Sequence, residues 1–335
     1  MHHYSFTKKF SSYKHTVESA LAEFFSRNDF STNDLYKPIR YTMLQAGKRI
    51  RPVLTMIACD AVGGNAIDAV FAGMAVEMLH TFTLIHDDIM DDASIRRGFP
   101  TIHVQWDTNT AILSGDALIA VAYSALMQSP STTQRIAEMI AATNAAILRV
   151  CEGQALDLAL QRRTHISLDD YFAMIDKKTA TMLGLCVQLG AIVGNACTEY
   201  VQALTHYARA TGIAFQIHDD LLDIIADSAT FGKPIGSDIV EGKKTFLIAK
   251  ALAQYSAMND NDRALIDQFL HQQGLHEEYV PRMKEIFARY GILDAAYAEI
   301  ARRTEDAHRA LTRLPHNEGT ASLHDFATML LERTY

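Results

Sequence analysis

One seven-residue pattern occurs twice in this chain, and any fold must accommodate both copies. Ile85-His86-Asp87-Asp88-Ile89-Met90-Asp91 and Ile217-His218-Asp219-Asp220-Leu221-Leu222-Asp223 both read I-H-D-D-φ-φ-D, with φ apolar. The first and last aspartates of each copy are four apart, so on a helix they share one face about a turn from each other. Like charges at that spacing weaken a helix by about 0.2–0.5 kcal/mol, and no cation within either copy offsets the loss. The sequence leading into each copy is apolar, Leu79 to Ile85 and Ile213 to Ile217, which disfavours two solvated acidic faces. Two such clusters facing one another would form a hard-oxygen site suited to Mg²⁺, which binds through one or two carboxylates, water and substrate phosphates. One copy alone would also describe a solvated acidic helix face; the pair points to a metal and an anion.

Helical period dominates the rest, and convincing strand alternation is absent. Helices are predicted over about Tyr4–Arg27, Asn33–Gln45 (stopped by Gly47) and from Pro52 to Gly63-Gly64. Ala66–Asp92 reads as a long central helix, apolar nearly all round, carrying the first cluster at its C-terminal end. Ser94–Thr101 reads as a loop, followed by helices near Thr108–Gln128, Thr132–Ala159, Leu168–Asp176, Thr179–Val193 and Thr198–Ala226, the last bearing the second cluster. Phe231–Lys244 is glycine-rich and basic, the composition of a mobile lid rather than core. Thr245–Tyr255, Asp262–Gln272, Tyr279–Leu314 (broken near Gly291) and Ala321–Glu332 complete an all-α chain. Neither a linker nor a shift of composition divides the 335 residues, so residues 1–335 are expected to form one domain.

Composition excludes some functions. The net charge of −8 and the lack of a dense Lys/Arg run argue against a nucleic-acid partner. Cys59, Cys151, Cys186 and Cys197 show no CxxC spacing and read as buried free thiols of a reducing compartment. With no apolar leader at the N-terminus and no run of about 18 uninterrupted apolar residues, the sequence predicts a cytoplasmic protein without a membrane span.

Basic islands accompany the acidic clusters. Gly47-Lys48-Arg49-Ile50-Arg51-Pro52 places cations at a helix start, a natural anion site, although such a segment taken alone is more often a solvated helix start. Arg96-Arg97-Gly98 follows the first cluster, Lys177-Lys178-Thr179 reads as the opening of a helix, and Lys233, Lys243 and Lys244 fall in the lid. Guanidinium and ammonium groups around an acidic metal site suggest a polyphosphate substrate. No Walker A, GxGxxG, HExxH or GxSxG segment is present, so nucleotide phosphate transfer, zinc proteolysis and serine hydrolysis lack their usual frames. His86 and His218, each preceding an Asp pair, read as core or outer hydrogen-bonding groups rather than ligands.

The motifs, in order, resemble the trans-isoprenyl diphosphate synthases of the polyprenyl synthetase family. The resemblance is carried by GKRIRP, EMLHTFTLIHDDIMDDASIRRGFPTIH, SGDAL, EGQALDL, DKKTATML, AFQIHDDLLDI and GKPIGSDIVEGKKTF, and covers nearly the whole chain. It implies an all-α helical bundle of the isoprenoid synthase type around a central active-site cavity. It further implies that Asp87, Asp88 and Asp91 with Asp219, Asp220 and Asp223 hold three Mg²⁺ ions that clamp an allylic diphosphate. The four-apart pairs would be the principal ligands. By the same resemblance Arg96, Lys178, Gln216, Lys233 and Lys243 contact that diphosphate. Gly47, Lys48, Arg51, His80 and Arg97 would receive isopentenyl diphosphate. Thr179 and Gln216 fall where the family stabilises positive charge beside the breaking bond. The implied partners are isopentenyl diphosphate and dimethylallyl, geranyl or farnesyl diphosphate, and the implied assembly is a homodimer; the apolar helix at Thr108–Leu126 is a candidate face, although such a helix is equally expected in the core of a monomer.

Product length in the family depends on the residues before the first cluster. A helix rises about 1.5 Å per residue, which puts Phe82 and Thr83 roughly 6 to 7.5 Å from Asp87. Phe82 holds the position where a bulky side chain stops elongation, and Thr83 is small; the combination leans toward geranylgeranyl diphosphate, then farnesyl diphosphate. At 100° per residue Phe82 points about 140° away from Asp87. A class I terpene cyclase shares the ionisation chemistry, but its second motif mixes Asn, Ser and Glu, and it has no use for GKRIRP. An idle regulatory subunit typically loses aspartates from one cluster, whereas both are intact here.

Overall fold

The computed structural model describes residues 2–27, 30, 34–226 and 235–331. Nearly all of them are helical, as the period predicts: α1 His2–Ser26, α2 Tyr36–Met43, α3 Ile50–Ala61, α4 Val70–Met90, α5 Ile102–Gln105, α6 Thr108–Leu126, α7 Thr133–Gln161, α8 Leu168–Ile175, α9 Thr181–Val193 and α10 Thr198–Ile225. The chain continues with α11 Ser237–Val240, α12 Phe246–Ala253, α13 Asp260–Gln272, α14 Val280–Arg289, α15 Ile292–Leu311 and α16 Glu318–Leu331. Contacts divide it into two compact units, Met1–Ile147 with Met182–Thr205 and Arg313–Asp325, and Leu148–Thr181 with His206–Thr312 and Phe326–Tyr335.

The first unit is built on α4. Its Met74, Ala75, Val76 and Met78 are fully buried, and it packs chiefly on α6, then on α3 and α1. The segment Ala66–Met90 and α6 are each long and apolar enough, by composition, to cross a bilayer; 72% of the most apolar window of the former is buried inside the protein, as in a core helix. Apolar residues all round α4 make it central rather than amphipathic. It ends in a Schellman arrangement, with Asp92 at φ 50° and the Ala93 N–H donating to Asp88 O at 2.9 Å. The second unit has its own core, in which Tyr171, Ile217, Leu221, Phe246, Phe269 and Phe287 are buried together.

Several local expectations are corrected. Leu168–Asp176 and Thr179–Val193 are not separate helices: α8 and α9 are joined through a π turn, Asp176–Ala180, so Lys177 and Lys178 lie mid-helix and not at a helix start. The loop after α4 contains a two-stranded hairpin, β1 Ile95–Arg96 and β2 Phe99–Pro100. Its two turn residues, Arg97 and Gly98, have φ of 53° and 81°, as a type I′ turn requires. Gly47 lies beyond the α2 C-cap residue, Leu44, and so does not end that helix. Cys59 and Cys186 are buried as expected, but Cys151 and Cys197 are exposed.

Lys244 is also unlike a lid cation. It is 2% exposed, donates to Gly242 O at 3.2 Å and lies 4.5 Å from the centre of the Phe269 ring. Desolvation lowers its pKa to about 8. Between that value and the ordinary 10.5 the unfolded chain binds the extra proton, so stability rises with pH over this window. Lys244→Met is expected to be more stable than the parent at pH 7, with the gap narrowing as pH climbs from 8 toward 10. Melting temperatures of both proteins across that range check it, and a constant gap would refute it.

Candidate active site

In the first unit, helical spacing puts His80, Thr83, Asp87 and Asp91 along one face of α4. Asp87 is half-buried and Asp91 exposed. Asp88 points elsewhere: it is 5% exposed and accepts from Arg96 Nε at 2.6 Å. Burial pushes its carboxyl above the usual aspartate range, with the Arg96 charge pulling against it. Asp88 and Arg96 line a small open recess together with Tyr41, Gln45, Thr81 and Thr101. Arg96, expected on a diphosphate, is thus already engaged with a carboxylate.

Around His80 the basic islands come together. Burial, and after it Arg51, Arg97 and Arg96, hold the imidazole well below its ordinary pKa, so His80 is neutral near pH 7. Arg97 reaches across to Gly47, where an added Cβ would lie 3.1 Å from a guanidinium nitrogen; that glycine keeps the approach open. Desolvation lowers the Arg97 pKa, and Arg49 and Arg96 add to it while Glu77 opposes. Lys48 is exposed and Arg51 half-buried at the first turn of α3.

Arg49, the middle cation of the same island, does something different. It is 4% exposed, and its guanidinium donates to Glu77 Oε1 at 2.8 Å and to Met43 O and Gln45 O at 2.7 Å each. Its backbone takes φ 49° as the N-cap of α3. Arg49 therefore ties the start of α3 to α4 and to the end of α2. Phe82 is 8% exposed, with its ring 5.1 Å from that of His86 at 81°. His86 is seated over Gly115 of α6 and lies 3.3 Å from Ile112 O, which fits the outer, non-ligating role read for it.

In the second unit α10 presents Gln216, Asp219, Asp220 and Asp223 to the π turn and to the segment before α12. Lys178 Nζ donates to Asp157 Oδ2 at 2.6 Å, and the Thr179 hydroxyl to Gln216 Oε1 at 2.9 Å. Asp219 is half-buried. Asp220, 4% exposed, accepts from Tyr171 at 2.7 Å, Phe246 N–H at 2.9 Å and Gln216 Nε2 at 3.0 Å. Burial raises its pKa while these three donors oppose the rise. Asp223 accepts from the Ser237 hydroxyl at 2.7 Å and the Asp238 N–H at 3.1 Å, which fixes the start of α11. Asp238 itself is pushed up to about 8 by burial and by Asp223, with Lys243 at 3.6 Å counteracting. Lys233, with Phe231, Gly232 and Pro234, lies outside the described residues.

The profile of the polyprenyl synthetase family matches residues 32–287. The chain belongs to that family. It is 38% identical over 310 residues to the short chain isoprenyl diphosphate synthase of Methanothermobacter thermautotrophicus, covering 92% of this chain and 94% of that one. It is likewise 38% identical over 302 residues to the geranylgeranyl diphosphate synthase of Saccharolobus solfataricus, covering 89% and 88%. The crystal structure of the geranylgeranyl pyrophosphate synthetase from Pyrococcus horikoshii superposes with a TM-score of 0.87 at 31% identity, over 98% of this chain and 99% of that one. The all-α fold is thus that of the polyprenyl synthetases.

Within this family member, sequence reasoning gave no role to Tyr171, Asp157, Ser237 or Asp238. Asp157 was legible in part, since it stands in the EGQALDL segment. Tyr171 carried no signal, because an aromatic residue in an amphipathic helix reads as core.

Proposed function

We propose that this protein is a short-chain trans-prenyltransferase that condenses isopentenyl diphosphate with an allylic diphosphate (dimethylallyl, geranyl or farnesyl) and releases diphosphate. Geranylgeranyl diphosphate is the preferred product and farnesyl diphosphate the alternative. One observation carries the reading: a single face of α4 bears His80, beside Arg51, Arg96 and Arg97, with the carboxylate of Asp87 two turns on and that of Asp91 one turn further. The names of the relatives and the ordered motifs support it.

The donor set suits Mg²⁺. All six aspartates are hard oxygen donors. Such a site fits an ion that keeps its waters and shares substrate phosphates. In this reading Asp87, Asp88, Asp91, Asp219, Asp220 and Asp223 hold the three ions, with the four-apart pairs Asp87/Asp91 and Asp219/Asp223 as the principal ligands. Within that set Asp88, Asp220 and Asp223 also accept from protein donors, which orient their carboxylates. Bound there, Mg²⁺ supplies charge stabilisation to the departing diphosphate.

The chain's own groups do the rest. Lys48, Arg51 and Arg97 with Gly47 hold isopentenyl diphosphate, and His80, being neutral, contributes a hydrogen bond rather than a charge. Lys178, Lys243, Lys233 and Arg96 hold the allylic diphosphate, Arg96 and Lys178 sharing their donors between it and Asp88 and Asp157. Thr179 and Gln216 turn oxygen toward the allylic carbon as its C–O bond breaks and the electron pair leaves with diphosphate. The isopentenyl double bond supplies the pair for the new C–C bond, and a proton passes to diphosphate. Water has to be kept out of such a site, a task suited to the glycine-rich segment before α12. We place the enzyme in the cytoplasm as a homodimer joined through α6, where Ile112 and Leu113 are 42% and 57% exposed. A monomeric mass in sedimentation equilibrium would overturn the dimer.

The deciding experiment supplies isopentenyl diphosphate with each allylic starter, in Mg²⁺ and in EDTA, and reads the dephosphorylated products by mass. A Mg²⁺-dependent twenty-carbon alcohol is expected. Cyclic hydrocarbon formed without isopentenyl diphosphate would make the protein a cyclase. No turnover would favour an idle subunit. Phe82→Ala is expected to move the main product at least five carbons longer, and an unchanged product distribution would remove Phe82 as the floor.

A further inference from the structure

The hydroxyl of Tyr171 is sealed inside the second unit, where the residue is 1% exposed, and it is spent on Asp220 Oδ2. From there a chain of bonds runs on to Thr179. The Gln216 amide turns its NH₂ toward Asp220 Oδ1, 3.0 Å away, and its oxygen toward the Thr179 hydroxyl, 2.9 Å away. The Thr179 hydroxyl has one proton, which that amide oxygen holds, and so Thr179 shows lone pairs to any third group. The opposite amide orientation would donate to Thr179 and leave its proton facing outward. Beside a carbon that gains positive charge, the first arrangement stabilises and the second opposes.

We infer that Tyr171 is a positioning residue for the ionisation step, fixing through Asp220 the orientation of the Gln216 amide and so the polarity of the Thr179 hydroxyl. The inference rests on the prenyl-transfer reading above. Tyr171 meets no substrate. Its ring is held independently, 5.7 Å from Phe172 and 5.9 Å from Phe246, so Tyr171→Phe removes the donor and keeps the packing.

The test uses the full chain with isopentenyl diphosphate, an allylic diphosphate and varied Mg²⁺. Losing one hydrogen bond to a charged group corresponds to about 10- to 100-fold. Tyr171→Phe should lower kcat by that factor. The KM for isopentenyl diphosphate, the half-saturating Mg²⁺ concentration and Mg²⁺ binding by calorimetry with inorganic diphosphate should stay within about threefold. Because Tyr171 acts through Thr179, the double variant Tyr171→Phe/Thr179→Val should lose no more than Thr179→Val alone. Parental turnover by Tyr171→Phe beside an inactive Asp219→Ala would overturn the inference, as would losses that multiply in the double variant. A shifted Mg²⁺ requirement with kcat kept would instead make Tyr171 the support of a metal ligand and also overturn it. If the parent protein itself gave no product with any starter, the prenyl-transfer reading would fail, and the step assigned to Tyr171 with it.

Discussion

Asp87→Asn is expected to lower kcat by about a thousandfold while slightly raising stability. The amide keeps the shape of the side chain and removes its charge. Metal-assisted stabilisation of a leaving group is worth several kcal/mol, and about 4 kcal/mol corresponds to three decades of rate. Within the helix Asp87 and Asp91 are like charges one turn apart at the end of α4, and relief of that repulsion is worth a few tenths of a kcal/mol. Opposite signs on activity and stability separate a ligand from a structural carboxylate. Steady-state kinetics across a Mg²⁺ series and a thermal melt read both, and parental kcat would take Asp87 out of the metal site.

The second large effect is on the fold. Glu77→Ala strands the buried Arg49 guanidinium, and removing one partner of a buried pair typically costs about 3–5 kcal/mol. The bonds from Arg49 to Met43 O and Gln45 O survive, which places the expected loss toward the lower figure. Replacing both residues with methionine should recover much of it, since apolar substitutes of similar volume often match a buried ion pair. Urea denaturation followed by circular dichroism measures the three proteins. A single variant as stable as the parent would show that the pair contributes nothing.

The reason for these contrasts decides how much could be read from sequence. The helices were legible because burial imposes a 3.6-residue period, and the acidic clusters because two charged turns inside apolar segments conflict with that period. Gly63 and Gly291 were legible as breaks, and both adopt positive φ. The role of Arg49 was hidden because its partner lies on another helix, and nothing in GKRIRP distinguishes the inward cation from its neighbours. The burial of Lys244 was hidden for the same reason, since the Phe269 ring that covers it belongs to α13. The π turn was invisible because Asp176–Ala180 contains ordinary helix formers and no glycine or proline. The Arg97 turn needed a conformation that arginine seldom adopts.

The π turn has a consequence for heredity. A π turn holds one residue more than an α turn and is often found at functional positions. Dropping a single codon between Asp176 and Ala180 would let α8 and α9 close into one regular helix with both ends keeping their neighbours. The side chains inside the turn would be turned by about 100° relative to one flank. Lys178 and Thr179 would no longer both reach Asp157 and Gln216. Such an allele is expected to encode a protein that still folds but turns over more slowly, a loss that activity per mole of folded protein would reveal and abundance would not.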